Sequence, residues 1–476
     1  MQNFSQFRSS FVNDEFLYGE SSIEVLNKYD QSILNEVDLL ASHQYEKVIQ
    51  SSQNAFEEYK NFDSAQRSKL LFKLADFLEE EASFFSHLIC MEAGKPISYA
   101  KGEVARCVET IRLSAEKARH HSSETPDLSY GPGADKMAII RHEPEGIIFG
   151  ISPFNFPLNL ALHKIAPALA VGCSIIVKPS PQTPITLLAF AKLLSRVGFP
   201  KGVVNIVICE DALAQRFLED ERISVFSFTG SAKVGWALKA LSGKKKCLLE
   251  LGGNAAVIVN DVEDMEAVTA QIVNGSFLYS GQICISTQRV FIASEIFDEF
   301  VELFLEQVET IGSGDPKDES VINGPVINEG ALERIHQWVQ EAISNGAELL
   351  CGGHIIDEDH HIYAPTVLTN TDLDMKVVSE EIFGPVVILE PYDSFSEAIE
   401  LVNDSKYGLQ AGVFTNSLVN MKEASQRIDV GGIIFNNVPG FRMDAMPYGG
   451  IKDSGLGREG IAYAMEDYTR KKLILF

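Results

Sequence analysis

Apolar residues recur at helical spacing from residue 63 to 90, where Leu70, Leu71, Leu74, Phe77 and Leu78 share one stripe. Asp63 and Gln66 ahead of them are spaced as a capping box, which marks a helix start. Val104, Val108, Ile111 and Ala115 repeat the period over 101–120, so the N-terminal part is predicted to be mostly helical. Near residue 135 the pattern changes. Short β-rich runs ("MAIIRH", "GIIFGIS", "CSIIVKP", "VVNIVIC", "ISVFSFTGS") alternate with helical stretches such as "TPITLLAFAKLLSRVG". This alternation predicts βαβ units: a parallel sheet with helices on both faces and a nucleotide site at the strand ends. "CLLELGGNAAVIVND" (247–261) reads as the crossing into a second α/β region running to about 450, with strands in "RVFIA", "VVILEPY", "AGVFTN" and "GIIFNN". No internal repeat at solenoid periods is seen. The chain closes on "RKKLILF", an apolar strand whose free edge would invite aggregation. It is expected to be covered either within its own chain or by a second subunit.

Composition narrows the function classes. With 476 residues, 45% hydrophobic and 22% charged, the chain can form two or three domains around a large core. The net charge of −26 is spread along its length and would repel a phosphate backbone, so no nucleic-acid partner is expected. Seven cysteines (90, 107, 173, 209, 247, 284 and 351), an odd number with no C-x-x-C pair and no histidine cluster, argue against a disulfide framework and a zinc site. "MQNFSQFRSSFVNDEF" lacks the apolar centre of a signal peptide, and no run reaches the roughly 18 to 20 apolar residues of a membrane span. A cytoplasmic protein without metal is expected.

Ordinary nucleotide signatures are missing. "TGSAKVG" holds Gly230 and Gly235 but lacks the Gly-Lys-Ser/Thr of a phosphate loop, and there is no G-x-G-x-x-G. The strand "VFSFTGS" nevertheless runs into the helix "AKVGWALKAL", placing Thr229, Gly230 and Ser231 at a helix N-terminus whose free N–H groups suit a pyrophosphate. Four other stretches hold unusual residues. "SPFNFPLN" sets Asn155 among phenylalanines and prolines, "IIVKPSPQTP" ends a buried strand on Lys178, "LLELGGN" puts Glu250 before a Gly-Gly bend, and "SGQICIS" carries Cys284. Each taken singly has an ordinary structural reading: an inert core thiol, a surface lysine, a satisfied strand-end carboxylate, a turn-forming amide.

The ordered set carries more than its members. "SPFNFP", "KPSPQTP", "FTGSAKVG", "ELGGNAAVIV", "GQIC", "EEIFGPV" (380–386) and "MPYGGIKDSGLGRE" (446–459) resemble, in order and approximate spacing, the NAD(P)-dependent aldehyde dehydrogenases over about residues 45–476. The resemblance implies the aldehyde dehydrogenase fold, an α/β architecture with a Rossmann-like cofactor domain at 1–122 and 145–252. A catalytic domain would span 253–452, and a small β bridging arm would combine 123–144 with 462–476. Such an arm would support a homodimer or homotetramer.

The resemblance also implies roles. Cys284 would attack the aldehyde as thiolate, giving a thiohemiacetal and then a thioester. Asn155, with the Cys284 backbone N–H, would form the oxyanion hole. Glu250 would activate the hydrolytic water, and its apolar surroundings should raise its pKa. Branches that pass the acyl group to coenzyme A generally lack this carboxylate, so hydrolysis is expected over a coenzyme A-acylating semialdehyde dehydrogenase. Retention of the whole set also weighs against a non-catalytic nucleotide-binding homologue, and none of the ten histidines, His163 and His354 included, sits in a thiol-peptidase motif. Lys178 and Ser180 would hold the adenosine ribose, Thr229, Gly230 and Ser231 the pyrophosphate, and Glu381, with Phe383 nearby, the nicotinamide ribose. Gly235 would permit close helix packing. Pro181 stands where NAD-preferring members often carry a glutamate, leaving both NAD and NADP open. Arg106 and Arg442 fall where members acting on anionic aldehydes meet the anionic group. A small hydroxylated or anionic aldehyde is therefore expected, such as lactaldehyde, glyceraldehyde-3-phosphate, succinate semialdehyde or a phosphono- or sulfo-aldehyde.

Overall fold

The computed structural model describes residues 4–120 and 123–476. The first three residues of the N-terminal stretch and the domain limit expected at 122 lie outside them. Four of the five β-rich runs, all but "MAIIRH", join an eight-stranded sheet in the order Glu15–Leu17, Ser10–Val12, Val204–Ile206, Ser174–Lys178, Ile147–Ile151, Ile223–Thr229, Lys246–Glu250, Gly455–Leu456. Its five central strands are parallel, and antiparallel strands close both edges. Strands such as "SIIVK" are buried along their whole length, as expected where helices cover both faces.

After Glu250 the chain crosses into a seven-stranded sheet, ordered Glu348–Cys351, Thr366–Thr369, Val386–Tyr392, Arg289–Ala293, Ala256–Val259, Gln410–Phe414, Gly432–Phe435. All its pairings are parallel except that of Glu348–Cys351 with Thr366–Thr369. The short strand Gly455–Leu456 then returns to the first sheet, lying antiparallel to Lys246–Glu250. The crossing and the return bring the carboxyl ends of the first sheet against loops that lead into the second.

Two helical expectations need correction. The stretch 63–90 is two helices, Ser64–Glu80 and Ala82–Ala93, interrupted at Glu81, whose backbone (φ −99°, ψ 11°) leaves the helical region. Asp63 does form the capping box with Gln66. The second pattern is longer than expected and runs from Ile97 to His120. A further helix, Tyr45–Tyr59, precedes these, and ahead of it the chain is strand, with the hairpin Ser21–Leu26/Ile33–Leu39 and two strands that extend the first sheet. Helices, sheet and hairpin share one large apolar core.

The terminal strand Thr469–Leu475 pairs antiparallel with Ala138–Pro144 of the same chain, so its cover is at least partly its own. The resulting two-stranded ribbon exposes Leu473, Leu475, Phe476 and Met137. Among the described residues no helix is long and apolar enough to cross a membrane, and no cluster of three or more His, Cys, Asp or Glu could hold a metal.

Candidate active site

Four of the singled-out residues sit at or just beyond the carboxyl ends of adjacent parallel strands, where open α/β sheets form their crevices. Asn155 follows Ile147–Ile151, Lys178 ends Ser174–Lys178, Thr229 ends Ile223–Thr229 and Glu250 ends Lys246–Glu250. Glu250 lies opposite Thr229 in register, and Ile151 opposite both Lys178 and Phe228. Cys284 and Glu381 come from the other side, on loops that precede the strands Arg289–Ala293 and Val386–Tyr392 of the second sheet.

Cys284 opens onto a cavity of about 300 Å³ whose walls include Phe156, Leu160, Phe441, Tyr448, Arg106 and Arg442. Its loop is held in a tight bend, since Tyr279 and Ser280 take left-handed backbone (φ 53° and 55°). The Gln282 side chain ties that bend to a neighbouring loop, accepting from the Ile327 N–H (2.9 Å) and donating to the Pro325 carbonyl (3.2 Å). Asn155 is buried, and its side-chain amide donates to the Gln282 carbonyl at 2.8 Å. An amide nitrogen carries two hydrogens, so one remains for a second acceptor. The Cys284 sulfur lies 2.9 Å from the Tyr448 hydroxyl. Burial pushes the thiol up to about 12, despite the Tyr448 hydrogen bond acting in the opposite direction.

Glu250 is buried, and neither carboxyl oxygen has a hydrogen-bond partner among the described residues. Desolvation, reinforced by the charge of Glu459, raises its pKa well above the usual range, against the pull of Arg442 and Lys164. Glu459 is also buried and desolvated, but His163, Lys164 and Arg442 outweigh that cost and hold it down at about 2. The two neighbouring carboxyls are thus pushed in opposite directions, Glu250 toward holding a proton and Glu459 toward losing one.

Behind this pair lies a buried charge network. Arg442 donates to Glu459 (2.9 Å) and lies 3.7 Å over the Tyr448 ring. His163 bridges Asp444 (3.0 Å) and Glu459 (3.4 Å), while Lys164 stands 3.7 Å from Glu459 and donates to the Thr229 hydroxyl at 2.7 Å. Asp444 also accepts from Arg106 (2.9 and 3.2 Å from Nε) and from the Thr110 hydroxyl (2.8 Å). Both arginines therefore line the cavity while already bound to carboxylates, Arg442 nearly buried and Arg106 with its side chain 27% exposed.

The remaining candidates lie outside the cavity wall. Lys178 is buried, with its ammonium 3.5 Å from the exposed carboxylate of Asp211, and Ser180 closes the following turn by accepting from the Gln182 N–H. Ser231 is the N-cap of helix Ala232–Leu241, yet its side chain makes no capping bond, which leaves that helix's first N–H groups available to an anion. A Cβ at Gly235 would stand 2.3 Å from Leu251, so only glycine lets this helix pack so closely. Glu381 accepts from the Gly253 N–H at 3.0 Å, and a Cβ at Gly252 would come within 2.2 Å of its other oxygen. Burial, opposed by that N–H and by Arg334, lifts Glu381 to about 7. Phe383 takes left-handed backbone (φ 51°) and meets Phe154 edge-on at 5.8 Å, linking the Glu381 loop to the Asn155 loop. An uncapped helix end, a buried lysine and a carboxylate held against a Gly-Gly bend together fit a dinucleotide.

Sequence reading assigned no roles to Tyr448, Lys164, Glu459, Asp444, Gln282 or Asp211. A usable signal existed for two neighbours: His163 and Lys164 are adjacent charged or titratable residues in the otherwise apolar helix Asn159–Val171, every residue of which is buried.

Known proteins show which family the chain belongs to. The model of the Aldehyde dehydrogenase family matches residues 16–474. The 3-sulfolactaldehyde dehydrogenase of Priestia aryabhattai is 39% identical over 467 residues, covering 98% of this chain and 97% of its own. Aldehyde dehydrogenase 21 of Physcomitrella patens, solved in complex with its reaction product succinate, superposes with a TM-score of 0.96 at 36% identity, covering 98% of each chain. A glyceraldehyde-3-phosphate dehydrogenase of Methanocaldococcus jannaschii, complexed with NADP, gives a TM-score of 0.91 at 33% identity, covering 96% of this chain and 99% of that one. With a family match across nearly its whole length and close structural neighbours, the chain belongs to the aldehyde dehydrogenase family, NAD(P)-dependent oxidoreductases that convert aldehydes to acids.

Proposed function

We propose that this protein oxidises a small anionic or hydroxylated aldehyde to the free acid through Cys284, Asn155 and Glu250. The carrying observation is the joint placement of a thiol at the cavity, a buried amide bonded to the carbonyl two residues before it, and a buried carboxyl without a side-chain hydrogen-bond partner among the described residues. Cys284, as thiolate, adds to the aldehyde carbon, and the former carbonyl oxygen becomes an oxyanion. The spare hydrogen of the Asn155 amide and the Cys284 N–H receive it. Lys178, Ser180, Thr229, Gly230, Ser231 and Glu381, with Phe383 beside them, would hold NAD(P)+, which would supply the hydride acceptor when bound. The acyl group remains on Cys284 as a thioester. Glu250, once deprotonated, takes a proton from water as the water oxygen adds to the thioester carbon, and the carbon–sulfur bond then breaks to release the acid and the thiolate. Glu459 and Lys164, next to Glu250, offer its proton a route away from the cavity.

Arg106 and Arg442 support an anionic group on the substrate. Arg106 engages Asp444 through Nε and one terminal nitrogen, so the other edge of its guanidinium faces away from that bond. The names of relatives point the same way, since one acts on 3-sulfolactaldehyde and a neighbour was solved with succinate. Asp211 sets a carboxylate beside Lys178, close to where residue 181 supplies none, which supports use of NAD as well as NADP. We further propose the domain limits given above and a homo-oligomer joined through the Thr469–Leu475 ribbon.

The test is reduced-nicotinamide formation by wild type and Cys284→Ala, with neutral, carboxylated, phosphorylated and sulfonated aldehydes, NAD or NADP, and coenzyme A present or absent. Turnover by wild type alone, independent of coenzyme A and favouring an anionic aldehyde, is expected. Equal turnover by the variant would remove Cys284 as nucleophile, and dependence on coenzyme A would transfer the protein to the acylating branch.

A further inference from the structure

Cys284 has to give up its proton in a site that resists the loss. The charged and titratable groups facing it are Glu250, Glu381, Arg442 and Tyr448, with Arg106 on the same cavity wall. Both carboxyls oppose a thiolate, while the guanidinium of Arg442, although paired with Glu459, favours it at a distance. Among the described residues the group in hydrogen-bond contact with the sulfur is the Tyr448 hydroxyl at 2.9 Å.

Tyr448 is unusually well fixed for a side chain at a cavity wall. Its backbone exchanges two hydrogen bonds with Glu459 (2.8 and 2.6 Å), and Arg442 stacks on its ring at 3.7 Å. The residue is 4% exposed, so its phenol has little freedom to swing away. Either atom can donate while the sulfur is protonated. Once the thiol proton has left, sulfur has none to give and only the phenol can donate.

We propose that Tyr448 is a catalytic residue whose hydroxyl donates to the Cys284 sulfur, stabilises the thiolate and sets the pH at which the nucleophile becomes available. Burial supports the direction of this bond, since it disfavours the phenolate and raises Tyr448 well above its ordinary range. The stack of Arg442 on the ring holds the donor in line, so Arg442 acts here as a positioning residue. The proposal rests on Cys284 being the nucleophile.

The experiment reads the thiol directly, without turnover. Iodoacetamide alkylation of Cys284 in the full chain is followed against pH by peptide mass spectrometry, which separates it from the other six cysteines. Thiolate absorbance, taken as the difference from Cys284→Ala, gives the ionisation in parallel. In Tyr448→Phe, the ionisation is expected to shift upward. Alkylation below the midpoint should then fall about 3- to 10-fold. The rate of the fully formed thiolate should not fall, because a more basic thiolate is the better nucleophile. A fluorinated tyrosine at the same position keeps the shape but strengthens the donor, and should shift ionisation downward; it also serves if the phenylalanine variant folds poorly. An unmoved ionisation in both variants, or a uniform loss of alkylation at all pH, overturns the proposal. The Cys284→Ala turnover assay fails independently if the nucleophile is misassigned, so the two failures are distinguishable.

Discussion

Glu250 is buried with no side-chain hydrogen-bond partner among the described residues, and that placement has two opposing consequences. A base must be deprotonated to act, yet burial disfavours the carboxylate of Glu250 and raises its pKa well above the usual range. Turnover should therefore rise with pH wherever thioester hydrolysis limits the rate. Stability should move the other way. Between the unfolded and the raised folded pKa the folded state binds more protons than the unfolded one, so this group's contribution is fully present at low pH and declines as pH rises. For Glu250→Gln we expect steady turnover to fall by about 10²- to 10⁴-fold. The first, single-turnover burst of reduced nicotinamide should remain, and the melting temperature at pH 8 should stay level or increase. Rapid-mixing absorbance and thermal denaturation check the two halves. Loss of the burst itself would place Glu250 before hydride transfer.

The loop 152–158 that carries Asn155 depends on an ion pair from other elements. Glu103, in the helix Ile97–His120, accepts from the Leu158 and Asn159 N–H groups at 3.1 Å each and from Lys95 at 2.5 Å. Lys95 in turn lies 3.5 Å over Phe156, and both members of the pair are almost fully buried. Removing one partner leaves a buried charge and two unmatched N–H groups. Glu103→Ala should cost about 3–5 kcal/mol of stability, read by urea unfolding. It should also lower kcat more than the affinity for NAD(P), because the Asn155 amide loses its fixed direction while Lys178 and Ser231 lie on other strands and loops. A variant with normal kcat would show that the loop keeps its shape without the pair.

The ribbon of Ala138–Pro144 and Thr469–Leu475 is two strands wide, and an isolated ribbon of that width is marginal in water. Leu473 and Leu475 project from one of its faces and are 64% and 55% exposed. The chain should therefore sediment as a multiple of 52.5 kDa. Leu473→Asp combined with Leu475→Asp should yield the single chain, because buried carboxylates without partners would oppose the contact. An unchanged sedimentation coefficient for the double variant would assign association to another surface. The net charge of −26 adds repulsion between copies, so association should strengthen with salt.

Much of the scaffold follows from local pattern. Runs such as "GIIFGIS", "CSIIVKP" and "ISVFSFTGS" are too uniformly apolar for a one-sided sheet, and each became a buried parallel strand because helices cover both faces. The order of motifs was also enough to indicate the family. Local pattern was weaker where polarity was mixed: the hairpin "SSIEVL"/"ILNEVDL" went unread, and the break at Glu81 has no Gly or Pro to announce it. What only the tertiary structure decided is which distant groups meet. Tyr448 reaches a cysteine 164 positions away, and Asp444 a histidine 281 positions away. Spacing along the chain carries no trace of such contacts, and the raised pKa of Glu250 depends on them, because burial and neighbouring charge set a pKa and both arise only when the chain closes on itself.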